Sequence, residues 1–362
     1  MGARVIGRSA FLSALVAAAL LFNTVTSYGA QGKPLSAAEL ALYQGADREK
    51  ILLEGAKKEG QVVFYTSNTW VAGPVSQEFE KKYPFIKANV WRSDSKALLK
   101  RLTEELTAGR SIAGVVETSP EYISIMMREK ILQEHFSPEM SAYDDEAKIK
   151  GKSGVYAWTN REIYISLGFN SKLIPPSDAP KSVKDYLDPR WKGKMSIAGT
   201  TTGVQWVGAI LDMMGREFLD KLSAQEINVQ NISGAALSGL VASGEVPLSP
   251  TIFNSNIFTH KQKGAPVEWR PLDPVIAGVG TSGMVLNAPH PHAALLFLDY
   301  LHSKEGQQVA MKGGLSSART DIGSLEQKFQ KVYIESKYTA EQFEKKIEEW
   351  ESIMRKLFIR KR

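Results

Sequence analysis

Four short segments carry the side chains best suited to hold a small molecule: "TSNTW" (66–70), "RSDSK" (92–96), "ETSPE" (117–121) and "GTTTGVQ" (199–205). Each reads as a strand end passing into a helix. A helix start exposes unpaired backbone N–H groups at the positive end of the helix dipole, which favours an oxyanion. An ordinary N-cap accounts for any one of the four alone. Four in equivalent positions point to a shared cleft, and the residues expected there are Ser67, Asn68, Trp70, Ser95, Thr118, Ser119, Thr201, Thr202 and Gly203. Arg161, in "WTNRE", adds a guanidinium able to take a carboxylate or phosphoryl group with two parallel bonds, or to pair with Glu162 or another acid. Trp70, Trp158 and Trp206 lie beside these segments and either cover the carbon part of a ligand or pack in a core.

Catalytic patterns are weak by comparison. The five histidines, His135, His260, His290, His292 and His302, fall away from the four segments, and "HPH" (290–292) places Pro291 at a helix entry instead of forming a metal pair. No phosphate-binding loop, nucleophile elbow or H-E-x-x-H stands in the chain. Asp94 and Glu117 have the types for a carboxylate pair, but solvated helix caps are the simpler reading. The sequence therefore points to a binding protein and not an enzyme, with no cofactor and no resident metal.

The elements that must position these residues alternate. "QVVFYTS" reads as a buried strand, "VSQEFEKKYP" as a helix stopped by Pro84, "IKANVWRSD" as a strand, "SKALLKRLTEELTAG" as a helix, "IAGVVETS" as a strand and "PEYISIMMREKI" as a helix with Pro120 in its first turn. That order implies an α/β fold with a mostly parallel sheet covered on both faces. Two long β-rich runs, 155–174 and 274–289, are spaced as crossings between two lobes, since a chain of 362 residues outgrows a single core. The expected division is a leader at 1–29, the first part of lobe 1 at 30–160, lobe 2 at 161–273, a return to lobe 1 at 274–320, and C-terminal helices docking on the body at 321–362. The last helix carries an apolar stripe of Phe343, Ile347, Trp350, Met354 and Leu357.

Composition narrows the setting. Arg4 and Arg8, an apolar run from Ala10 to Phe22 and small residues near Gly29 and Ala30 have the layout of a secretory signal peptide, too short to span a bilayer. The chain has no cysteine, so neither disulfides nor a lipid-bearing cysteine are expected, and a periplasmic protein fits. The net charge of +6 is concentrated in Arg4, Arg8 and a tail with Arg355, Lys356, Arg360, Lys361 and Arg362, which leaves a near-neutral body and no nucleic-acid patch.

Several longer segments carry a resemblance: "KLIPPSDAPKSVKDYLDPRWKGKMSIAG" (172–199), "GEVPL" (244–248), "KGAPVEW" (263–269) and "HPHAALLFLDYLHSKEGQQ" (290–308). Together and in this order they resemble the extracellular solute-binding proteins of ABC importers, in the branch that contains the periplasmic ferric-ion binders. The resemblance implies a two-lobed, type II Venus-flytrap fold that closes on one solute. It also implies, as partners, a small-molecule solute and a membrane permease with its ATPase, the binding protein itself being a monomer. In ferric members a pair of adjacent tyrosines follows the "GEVP" strand. Here "SPTIFNSNIF" stands there, without tyrosine, and offers Ser249, Thr251, Asn254, Ser255 and Asn256 beside Phe253 and Phe258. Asn254 and Ser255 are accordingly expected in the site. Ferric ion needs charged oxygen ligands, so the expected solute is an organic anion such as a phosphonate, phosphate ester or carboxylate. Ferric ion, a polyamine and thiamine are the alternatives. Relatives often place an aspartate where this chain has Gly114, a difference at the start of a strand.

Overall fold

The computed structural model describes residues 27–28, 34–68, 70–273, 275–322, 331–334, 337–338 and 340–359. The leader expected over 1–29 lies outside them, apart from Ser27–Tyr28. In chain order the elements are β1 (Ser27–Tyr28), β2 (Pro34–Leu35), α1 (Ala37–Ala41), α2 (Arg48–Glu59), β3 (Gln61–Thr66), α3 (Ser76–Lys82), β4 (Lys87–Arg92), α4 (Ser95–Thr107), β5 (Val115–Thr118), α5 (Pro120–Arg128), β6 (Leu132–Gln133), β7 (Lys148–Lys150) and β8 (Val155–Asn170). They continue with β9 (Ser196–Ala198), α6 (Thr201–Met214), α7 (Arg216–Ser223), β10 (Asn228–Gln230), α8 (Gly234–Ser243), β11 (Leu248–Phe253), α9 (Asn254–Gln262), β12 (Val267–Arg270), β13 (Val275–Val285), α10 (Pro291–His302), α11 (Lys304–Met311), β14 (Lys331–Val332) and α12 (Ala340–Phe358).

The fold is α/β and two-lobed. In the first lobe β3, β4 and β5 are parallel, and the period-2 alternation of β3 supplies two faces at once. Val62 and Phe64 join Leu52, Phe79 and Phe297 on one face, while Tyr65 joins Leu98, Leu102 and Met126 on the other. Local chemistry sets the ends. Gly60 closes α2 in the left-handed region at φ 68°, and Pro120 occupies the first turn of α5, where its missing N–H costs no helix bond. The second lobe has its own cores: Phe169, Trp206, Ile210 and Leu219 in one, Leu237, Val241, Ile252 and Ile257 in another.

Two strands join the lobes, as the β-rich runs predict, but they do more than cross. β8, 16 residues long, and β13, 11 residues long, pair antiparallel along most of their length. They fuse the strands of both lobes into one mixed sheet ordered β11-β8-β13-β5-β3-β4. The short parallel pair β9–β10 stands apart in the second lobe. α10 and α11 are divided at Ser303, whose hydroxyl caps the second helix by accepting from Gly306 N.

α12 packs against α6 of the second lobe. Phe343, Trp350, Met354 and Phe358 are buried in the core of the second lobe. Gly208 on α6 makes room for Trp350, because a Cβ there would overlap the indole ring. The first turn of α12 reaches lobe 1, where Glu341 pairs with Arg128 of α5. Among the described residues no helix is long and apolar enough to cross a membrane.

Candidate solute-binding site

Each lobe contributes a group of helix starts at the carboxyl ends of its parallel strands, the usual ligand position in open α/β sheets. In lobe 1, β3 runs into Ser67 and Asn68. The Asn68 side chain accepts from Trp70 N at 2.9 Å and Val71 N at 3.0 Å, holding the turn that leads through a π-helical segment, Val71–Val75, into α3. At the start of α4, Asp94 accepts from Ala97 N at 3.0 Å, so it is the exposed cap that the sequence suggests. Ser95 sits beside it and accepts from the hydroxyl of buried Thr118 at 2.7 Å. Ser119 donates to Glu121, whose carboxyl is pushed up by burial. Ser95, Thr118 and Ser119 thus form one hydroxyl cluster where the segments leaving β4 and β5 meet beyond β3, with Ser95 and Ser119 Oγ atoms 3.5 Å apart.

In lobe 2 the parallel pair β9–β10 delivers two helix starts side by side. Thr200, before α6, makes no side-chain cap, and Thr201 and Thr202 occupy the first turn. Gly203 packs so closely on Ala198 O that a Cβ would overlap it. Ser233 caps α8 by accepting from Ala236 N at 3.2 Å, leaving the amides of Gly234 and Ala235 without a side-chain cap. A methyl group on Gly234 would lie 3.5 Å from Thr202 Cγ2 and 3.5 Å from the Phe253 ring, which fixes how near the starts of α6 and α8 and the end of β11 approach one another.

The segment "SPTIFNSNIF" divides between two roles. Ser249 and Thr251 are fully buried in β11, where Thr251 Oγ1 accepts from Ala198 N at 3.0 Å and lies 3.1 Å from Ser249 Oγ. They tie β9 to the lobe and do not line a cleft wall, contrary to the sequence expectation. Asn254 opens α9. Its Oδ1 accepts from Tyr164 N on β8 at 3.1 Å, and its Nδ2 donates to Gly314 O at 3.0 Å. Gly313 and Gly314 form the seam between lobes. A Cβ on Gly313 would overlap the Trp70 ring, and one on Gly314 would crowd Ser255 Cα at 2.9 Å and Phe258 Cβ at 3.0 Å. Trp70, Asn254 and Ser255 therefore come together on a pair of glycines that sequence reasoning did not single out.

Arg161 is placed at this seam but not as a free fork. Its Nε and Nη2 both lie 2.9 Å from Glu117 Oε1, while Glu117 Oε2 accepts from Thr66 Oγ1. Glu117 is 0% exposed and Arg161 5%, so the solvated cap acid expected at 117 is a buried partner of the guanidinium. The reach across β13 requires Gly280, whose Cβ would overlap both groups. Trp158 and Trp206 are core residues. Trp158 stacks on His302 with ring centroids 3.8 Å apart, and Trp206 packs in the lobe 2 core beside Tyr186. Trp70 is the one tryptophan of the three left partly exposed beside the loops.

With two lobes, two crossing strands and a group of helix starts in each lobe, the molecule has the architecture of a two-lobed solute-binding protein. Residues 61–316 match the family described as bacterial extracellular solute-binding protein, and the chain belongs to that family. It is 26% identical over 275 residues to an uncharacterised protein of Haemophilus influenzae, a match covering 72% of this chain and 78% of that one. Among solved structures it is similar to AfuA from Actinobacillus pleuropneumoniae with bound fructose-6-phosphate, at 20% identity and TM-score 0.67 over 82% of this chain and 99% of that one. It is also similar to iron-bound HitA from Pseudomonas aeruginosa, at 19% identity and TM-score 0.64 over 80% of this chain and 99% of the other. The substrate-binding protein of an ABC transporter from Agrobacterium tumefaciens aligns at 15% identity and TM-score 0.69, covering 84% and 97%. At such identities the likeness to these structures is one of fold.

Proposed function

We propose that this chain is the periplasmic capture component of an ABC importer, which binds a small organic anion between its lobes and hands it to a permease driven by its ATPase. Phosphonates, phosphate esters and carboxylates are the solute classes the site suits. The observation that carries this reading is the close approach of two helix starts in lobe 2, those of α6 and α8, with first-turn amides lacking side-chain caps. Two positive dipole ends pointing to one place favour an oxyanion more than either alone. Across the seam, the hydroxyl of Ser95, which accepts from Thr118 and keeps its own proton to donate, and the side-chain amide of Asn68 supply neutral donors from lobe 1. Contacts from both sides favour the closed arrangement only to the extent that the solute binds it better than the open one.

Ferric ion fits the site less well. Hard cations need anionic oxygen donors, and residues 248–262 contain no aspartate, glutamate or tyrosine. A polyamine or thiamine would have to meet the positive ends of α6 and α8. The deciding experiment pairs native mass spectrometry of freshly purified protein with thermal shifts against phosphonates, phosphate esters, carboxylates, polyamines and ferric ion, since a native-state ligand raises apparent stability with its concentration. The Thr202→Asp variant adds a carboxylate at the start of α6, which suits the helix dipole but repels an anion. It should keep its fold and lose anion binding by about 100-fold or more, the scale of a like charge placed within a few ångströms in a poorly screened site. Unchanged affinity in T202D, or shifts with cations alone, would remove the anion reading.

A further inference from the structure

Close to the seam, β8 carries buried polar atoms that the protein itself leaves unmet. On β8 the register slips by one residue: Gly280 faces Arg161, Thr281 faces Thr159, and Asn160 has no partner on β13. Such a bulge breaks the side-chain alternation and re-aims the residues at it. Asn160 is 1% exposed, its backbone oxygen accepts from Gln307 Nε2 at 2.7 Å, and neither its Nδ2 nor its Oδ1 meets a partner. Arg161 Nη1, on the following residue, is likewise buried and unpartnered. Buried polar groups are nearly always paired, so two donors and one acceptor on consecutive residues mark a place built for something that hydrogen-bonds in both directions.

The surroundings put that place at the junction of the lobes. Thr66, on the same carboxylate as Arg161, begins the first lobe 1 loop through its bond from Asn68 N at 3.0 Å. Ser316, just past the Gly313–Gly314 seam, bridges to Glu162, and Asn254 holds Tyr164 N further along β8. The charge there is balanced, because Glu117 takes up the positive charge of Arg161 through two bonds to one oxygen. A full anion gains less at such a place than at the α6 and α8 starts. A hydroxyl, which donates to Asn160 Oδ1 while accepting from Asn160 Nδ2 or Arg161 Nη1, fits it completely.

Resting on the anion reading above, we infer that the solute is a hydroxylated organic anion: its oxyanion lies at the starts of α6 and α8, and its hydroxyl end is read by Asn160 and Arg161 Nη1. Glu117 acts as a positioning residue that holds the guanidinium so that only Nη1 is presented. A site built to hydrogen-bond a hydroxyl rejects the analogue lacking it far more strongly than an apolar pocket rejects a missing methylene.

Isothermal titration with matched probes tests this: glycerol 3-phosphate against propyl phosphate, 2-hydroxyethylphosphonate against ethylphosphonate, and lactate against propionate. The expected result is at least one pair in which the hydroxylated member binds about 100-fold or more tightly, a preference that Asn160→Leu reduces to within about 3-fold while the deoxy member binds as before. Should N160L fail to fold, the isosteric Asn160→Asp, which keeps an acceptor and loses the donor, is read in the same way. Equal binding within every pair, or a hydroxyl preference unchanged in both variants, overturns the inference and assigns the unmet atoms to internal water, leaving the anion reading intact. No binding by any phosphate, phosphonate or carboxylate overturns both.

Discussion

The buried pair Glu117–Arg161 makes the sharpest claim about energetics. Replacing Arg161 by methionine keeps the length and apolar stem of the side chain and removes the charge. The carboxylate left behind is 0% exposed, loses both 2.9 Å bonds to Oε1 and retains Thr66 as its donor. Stranding one member of a buried pair costs about 3–5 kcal/mol, whereas replacing both by apolar groups of similar volume is often close to neutral. With the Arg161 side chain 6% exposed, solvent screening gives little relief, so the full range applies. Urea unfolding followed by tryptophan fluorescence should therefore show R161M destabilised by about 3–5 kcal/mol, and the double variant Glu117→Leu with Arg161→Met less destabilised than R161M alone by about 2 kcal/mol or more. A loss under about 1 kcal/mol in R161M, or a double variant that is the simple sum of its parts, would refute the claim that the carboxylate depends on the guanidinium.

Two further outcomes follow from the interior. His135, beside Trp158, is held down to about 4 by burial, and His302, stacked on Trp158, is held well below its ordinary value for the same reason. Both are neutral in the folded state and take a proton more readily when unfolded, so their contribution is fully present above the unfolded value near 6.5 and is lost as pH falls toward the folded one. Between pH 6.5 and 4 the wild type should lose about 2.5 kcal/mol more than a His135→Asn variant in urea midpoints converted to free energy, and parallel pH profiles would contradict this. Gly208→Ala places a methyl group into the Trp350 ring and should cost about 1–3 kcal/mol by overpacking, with α12 cut earlier in limited proteolysis. Unaltered protection of α12 would mean that Trp350 does not fasten it.

Much of the scaffold was legible because it depends on local chemistry. The alternation of apolar periods, Gly60 at a helix end, Pro120 at a helix start and Asp94 as a cap each follow from the conformational preference of one or two residues. The helix-start segments were recognisable for the same reason, and the structure brings Ser95, Thr118 and Ser119 into one cluster and Thr201, Thr202 and Gly203 into the first turn of α6. Partnership over long separations was not legible. Arg161 lies 44 residues from Glu117, and nothing near either residue states that Gly280 on a third strand will let them meet. Ser249 and Thr251 look like exposed polar groups when read along the chain, and become strand-bound only because β9 lies against β11.

By itself the sequence determined that this is an α/β chain with two lobes, two long crossings, polar loops at strand ends and no tyrosine pair after "GEVP". Those properties reside in periodicity and residue type, which survive without knowledge of contacts. Only the tertiary structure decided that the guanidinium expected to meet the solute is mostly taken up by a buried acid, and that the register slip at Asn160 leaves three polar atoms without partners at the seam. Strand register and the crossing of a side chain over a glycine are set by the packing of elements far apart in sequence. Their effect on charge and hydrogen bonding changes which part of a ligand each residue can hold.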